Sequence, residues 1–206
     1  MTDNPFLKRA YQLKDQAETK SMYSDWAASY DQAMADHDYQ SPRRIVEALM
    51  RHCPDRDVAI FDVGCGTGLS GQALAAQGYT TIDGSDVSPE MVEKARALTA
   101  IYRRLDVVTL DNPFPFAKGE YQVITAMGVI ADQHAPPEVI DQLLDKLNPG
   151  GLLIFSLNNH TLENPAYMAA CTSAEADGRA TILEQEMGPH LVKLGMTSRI
   201  MVLERR

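Results

Sequence analysis

The sequence predicts an α/β domain in three layers: a mostly parallel sheet covered by helices on both faces, entered through a helical N-terminal cap and closed by an antiparallel hairpin. Three observations carry this. From residue 57 onward, short apolar runs of strand type alternate with helical stretches. A glycine-rich turn, Asp62-Val63-Gly64-Cys65-Gly66-Thr67-Gly68, stands where the first strand gives way to a helix. Between residues 181 and 204, two strand-like runs follow one another across a connection too short for a helical crossover.

In the first fifty residues, Phe6, Ala10, Leu13 and Ala17 recur at helical spacing. Ser41-Pro42 has the form of an N-cap followed by proline at the first helical position, opening a helix that carries Ile45, Val46, Leu49 and Met50 and stops before Pro54. Residues 1–52 thus read as the cap and 53–206 as the core of one domain. Residues 58–63 are an apolar run suited to a strand buried on both faces. Residues 69–77 are Ala-rich and helical, with Gly78 placed to end the helix. A second strand is expected over 79–86, and Ser88-Pro89 opens a helix reaching Ala100. Strands three and four are expected over 102–108 and 121–127. A helix over 136–147 stops at Asn148-Pro149-Gly150-Gly151, and 152–157 is the fifth strand. Strand and helix alternate through this region, which implies parallel pairing with right-handed crossovers. Residues 181–187 and 198–204 should pair as a hairpin on the sheet edge.

At 206 residues the chain suits one domain with a full core. Its 19 basic and 28 acidic side chains give a net charge of -9, which opposes a broad interface with nucleic acid. Cys53, Cys65 and Cys171 are far apart and lack a C-x-x-C pattern, so neither a disulfide framework nor a metal site is expected. No apolar leader and no stretch of about 20 apolar residues is present, so a cytoplasmic protein without membrane spans is expected.

Glycine in the turn after the first strand lets the backbone bend tightly and a ligand approach without a Cβ in the way. Asp86 ends the next strand, twenty residues after Gly66. There it faces the crevice beyond the strands' carboxyl ends, where a carboxylate can accept both ribose hydroxyls. Hydrogen bonds of this charged type are worth roughly 1.5–3 kcal/mol each. Gly66-x-Gly68-x-x-Gly71 also satisfies a dinucleotide fingerprint, acid spacing included. Against that stand Asp62, unfavourable beside a pyrophosphate but favourable beside an ammonium group, the earlier Gly64, and the closing hairpin.

Over residues 20–206 the sequence resembles the class I, seven-stranded, Rossmann-like S-adenosylmethionine-dependent methyltransferases of small-molecule type. The resemblance rests on Asp62-x-Gly64-x-Gly66-x-Gly68, Asp86-Val87-Ser88-Pro89-Glu90-Met91, Asn148-Pro149-Gly150-Gly151, and the W-x-x-x-Y-D pattern at Trp26, Tyr30 and Asp31. It implies that Gly64, Cys65, Gly66 and Gly68 line the methionine and ribose portions of the cofactor, with Asp62 on the ammonium side. Asp86 would hold the ribose, Val87 and Met91 would pack on adenine, and Asp106 with Val107 would meet the adenine edge. Met127 would border the methionine portion, and Tyr30 and Tyr23 would reach its carboxylate.

Each residue has a plainer reading. Asp86 could cap the following helix, although Ser88 suits that role. Asp106 could be a solvated strand end, with Asp111 as a rival. Asp62 could order the loop without touching ligand, Trp26 suits packing, and Cys65 is a small loop residue rather than a nucleophile. His134 and His160 are the candidate catalytic bases, His134 alternatively a helix-entry residue. The acceptor, a small organic molecule, is expected between residues 23–39 and 158–177, where Asn158, Asn159, His160 and Tyr167 stand. A monomer or homodimer is expected. The rival classes are a non-catalytic S-adenosylmethionine-binding protein and a nicotinamide-dependent oxidoreductase, for which no Tyr-x-x-x-Lys is found.

Overall fold

The computed structural model describes residues 26, 28–132 and 134–206. The helical spacing of Phe6 to Ala17 lies outside them, as does Tyr23. The cap contains α1 (Tyr30–Asp36) and α2 (Ser41–His52). The core follows as β1 (Ile60–Val63), α3 (Leu69–Ala76), β2 (Ile82–Asp86), α4 (Pro89–Ala97), β3 (Arg104–Val107) and β4 (Val123–Ala126). Then come α5 (Glu138–Lys146), β5 (Leu152–Asn158), α6 (Pro165–Ala176), β6 (Ala180–Pro189) and β7 (Thr197–Arg205).

One seven-stranded sheet runs in the order β3-β2-β1-β4-β5-β7-β6. β3 to β5 are parallel, while β7 is antiparallel to both β5 and β6. This is the Rossmann-like α/β architecture with a closing hairpin that the sequence predicts. Alternate residues of each central strand feed opposite cores. Ile60, Val123 and Ile154 join Leu49 and Leu74 on one face, while Phe61, Ile124 and Phe155 join Leu143 and Cys171 on the other. Burial on both faces is why these strands read as continuous apolar runs rather than alternating ones.

Two local expectations change. No helix joins β3 to β4; residues 108–122 form turns, and Pro113 and Pro115 deny that stretch a helical hydrogen-bond ladder. Phe116 from this link packs against Phe61 with ring centroids 4.2 Å apart. Ser41 does not cap α2. Its hydroxyl instead meets Nδ1 of His190 at 2.7 Å, tying the cap to the β6–β7 connection. Ser88 does cap α4, accepting from the Met91 amide at 3.3 Å.

Candidate functional site

The strand order reverses at β1, which has β2 on one side and β4 on the other. In open α/β sheets a crevice forms at such a switch point, beyond the strands' carboxyl ends. A cavity of about 310 Å³ lies there, bordered by the ends of β1, β2 and β4 and roofed by Tyr30 of the cap.

The turn after β1 supplies Gly64 and Gly66, both with positive φ. At Gly66 (φ 54°) a Cβ would meet nothing within 4 Å, so this backbone is left bare to the cavity. Asp86, at the end of β2, also lines the cavity. One of its carboxylate oxygens accepts from the Gly66 amide and the other from the Ser88 amide, both at 2.9 Å. Asp86 therefore braces the glycine turn and the entry to α4 while facing the ligand space. Burial pushes its carboxyl above the ordinary range, opposed by these backbone amides. Val87, Met91, Met127 and His134 also line the cavity. Burial holds the His134 imidazole down at about 4, so it is neutral at physiological pH.

Other expected site residues lie elsewhere. Asp62 is wholly buried behind the wall, where Thr125 (2.9 Å), Tyr102 (2.7 Å) and Ser70 donate hydroxyl hydrogen bonds to it. Burial raises its carboxyl to about 6. Its contacts fasten β4, α3 and residue 102 to β1, the geometry of a loop-ordering group. Cys65 is buried outside the cavity lining, and burial pushes its thiol far above the ordinary range, which disfavours a thiolate. Gly68 faces α4, where a Cβ would stand 2.6 Å from Leu98.

Asp106 is turned along the surface of the edge strand to Arg104 at 3.0 Å, and Val107 is 44% exposed. Neither lines the cavity; Val108, Leu110, Pro113 and Phe114 of the following link do. His160, half-exposed beside Glu163, is also outside it. Tyr167 is fully buried and donates to the Ala135 carbonyl at 3.2 Å. No residue of 158–177 lines this cavity; Asn164 and Tyr167 instead tie this segment to the loop bearing His134, through Asp132 at 2.8 Å and Ala135 at 3.2 Å.

A family model described as a methyltransferase domain matches residues 31–185, which include the glycine turn, Asp86 and the loop of His134. The chain belongs to this methyltransferase-domain family. It is 33% identical over 158 residues to human methyltransferase-like protein 27, covering 75% of this chain and 64% of that protein. It is 30% identical over 138 residues to a ubiquinone biosynthesis O-methyltransferase from Xylella fastidiosa, covering 63% of this chain and 53% of the relative. The chain therefore spans about half to two thirds of the length of these curated relatives. Among solved structures, the magnesium protoporphyrin IX methyltransferase of Synechocystis with bound SAM aligns with a TM-score of 0.69 and 19% identity, covering 94% of this chain and 98% of that one. That likeness is one of fold.

The methyltransferase-domain cavity also contains residues that the sequence does not single out, among them Ser85, Val129, Pro136, Val139 and Gln142. Ser85 adjoins a residue that was legible, but its facing depends on how β2 sits between β1 and β3. Val139 and Gln142 are one helical turn apart on α5, a spacing shared by any amphipathic helix.

Proposed function

We propose that this chain is an S-adenosylmethionine-dependent methyltransferase that acts on a small organic acceptor by in-line methyl transfer. The observation that carries this is the pairing of Asp86 with Gly66: a buried carboxylate and a bare backbone turn, joined by a 2.9 Å hydrogen bond, at the switch point of the sheet. The donor set fits the cofactor, since Asp86 retains acceptor capacity for ribose hydroxyls and the adjoining walls, Val87 and Met91, are apolar.

When bound, the cofactor supplies a methyl group already activated by a positively charged sulfur. The chain's task is to align an acceptor and exclude water, and positioning of this kind supplies roughly 7–11 kcal/mol. Asp86 holds the ribose and Gly64 and Gly66 admit the ligand along the backbone. Met127 borders the methionine portion, and Tyr30 closes the cavity from the cap. His134, neutral in its buried loop, accepts a hydrogen bond from an exchangeable acceptor proton. Asp62, Cys65 and Gly68 support the wall from behind. Residues 1–206 act as one domain, with 1–52 as its cap.

Isothermal titration with S-adenosylmethionine, S-adenosylhomocysteine and NAD tests this on wild type and Asp86→Ala. Binding of the first two that fails in Asp86→Ala supports the cofactor assignment, and methyl transfer in an acceptor screen then separates an enzyme from a binding protein. Preferential binding of NAD overturns it.

A further inference from the structure

The space that a side chain at Gly64 would take is already filled. A Cβ placed there would overlap one methyl group of Val129 and stand 3.4 Å from the other. Val129 therefore lies directly against the backbone of the glycine turn, and both residues line the cavity.

Val129 is held in this position from both sides along the chain. The Gly128 amide donates to the Ser156 hydroxyl of β5 at 3.0 Å. Ile130 is 1% exposed, in the core that contains Leu143 and Phe155. The loop then closes on itself, with the Ala135 amide donating to the Ala131 carbonyl at 3.0 Å. A β-branched side chain is stiff about χ1. Val129 is thus a fixed projection into the cavity and not a flap that yields to a ligand.

The sheet order says what it projects against. From β2, the cavity is lined by Asp86, Val87 and Met91; from β4 and the loop after it, by Met127 and His134. β1 lies between β2 and β4, so the contact of Val129 with Gly64 falls at the seam between these two groups. The first group serves the adenosyl part of the ligand and the second its methionine arm and the acceptor. A sulfonium joins those two parts and carries the group to be transferred.

Resting on the cofactor assignment above, we propose that Val129 is a specificity-determining residue that limits the size of the alkyl group on the cofactor's sulfur. Its methyl groups, braced on Gly64, leave room for a one-carbon group and oppose a longer chain.

S-adenosylmethionine, S-adenosylethionine and S-adenosylhomocysteine carry a methyl, an ethyl and no transferable group on the same sulfur, so their relative affinities read the room around it. Wild type should bind the ethyl compound about tenfold more weakly than the methyl compound, the discrimination expected for one extra methylene. Val129→Ala should bring the two within about threefold. Val129→Leu should widen the gap, and Val129→Thr, of nearly the same shape, should leave it as in wild type. S-adenosylhomocysteine should bind wild type and Val129→Ala alike, because it presents no group to the side chain. Isothermal titration measures these ratios, and thermal melting shows that each variant is folded. A methyl-to-ethyl ratio that stays at the wild-type value in Val129→Ala or Val129→Leu overturns the Val129 assignment alone. Equal binding of the methyl and ethyl compounds by wild type overturns it as well, and so does a loss in Val129→Ala shared equally by all three ligands. Failure of wild type to bind S-adenosylmethionine and S-adenosylhomocysteine overturns the cofactor assignment itself, and this proposal with it.

Discussion

The Thr67 hydroxyl, in the turn after β1, donates a hydrogen bond to the Asp31 carboxylate in the first turn of α1. This contact links the cap to the glycine turn thirty-six residues away. It acts one residue from Tyr30, whose side chain roofs the cavity and meets Trp26 edge-on with centroids 4.8 Å apart.

Releasing the link should loosen the cap. Trp26 is the chain's single tryptophan and is 1% exposed, so it reports cap opening directly. Asp31→Ala should shift its emission to longer wavelength, increase quenching by acrylamide and cost about 1 kcal/mol of stability. Asp31→Asn keeps an acceptor and should stay near wild type. Unchanged fluorescence in Asp31→Ala would show that apolar packing alone holds the cap.

Gly66→Ala places a methyl group in the ligand space at a backbone with φ 54°. Left-handed backbone costs a non-glycine residue roughly 1–2 kcal/mol, so the melting temperature should fall by a few degrees. The loss of S-adenosylhomocysteine affinity should exceed tenfold, more than strain alone explains. Titration and melting of the same sample separate the two effects.

Burial pushes the His190 imidazole down to about 4, with Arg44 adding like-charge repulsion. The folded state thus binds this proton less readily than the unfolded chain, whose imidazole titrates near 6.5. The resulting stability is complete above pH 6.5 and is lost as pH falls towards 4, by about 3 kcal/mol. In His190→Asn, urea denaturation curves should lose that part of the acid slope.

Asp62 has the opposite sign. Its folded carboxyl sits at about 6 against a reference of 3.8, so the folded state holds the proton more tightly. Protonation contributes stability that is complete below the reference value and is lost as pH rises through 6, about 3 kcal/mol in all. Relative to Asp62→Asn, wild type should gain about that much between pH 7 and 4. A constant difference between the two proteins across this range would contradict the assignment of the titration to Asp62.

What was legible in the sequence was local. The glycine turn, Asp86 at the end of β2, the Ser88 cap and the closing hairpin each follow from spacing over a few residues, and each lies where expected. Facing at the sheet edge was not legible. β3 is only four residues long, and the link after it reaches the cavity with Val108 and Phe114, which leaves Asp106 outside. Long-range polar partnerships were hidden as well. Asp62 and Tyr102 are forty residues apart, yet their 2.7 Å hydrogen bond withdraws the Asp62 carboxylate behind the cavity wall. The role of residues 158–177 escaped for the same reason, since Tyr167 turns inward to Ala135 across a separation of thirty-two residues.

The position of β7 between β5 and β6 bears on how the molecule is made. A ribosome delivers β5 and β6 before the strand that must lie between them. Until residues 197–205 emerge, both neighbours present unpaired edges, and Phe155 and Leu157 lack the cover that β7 brings. Open edges of this kind recruit other chains. The nascent protein therefore passes through an interval of vulnerability to aggregation that ends only when the penultimate place in the sheet is filled.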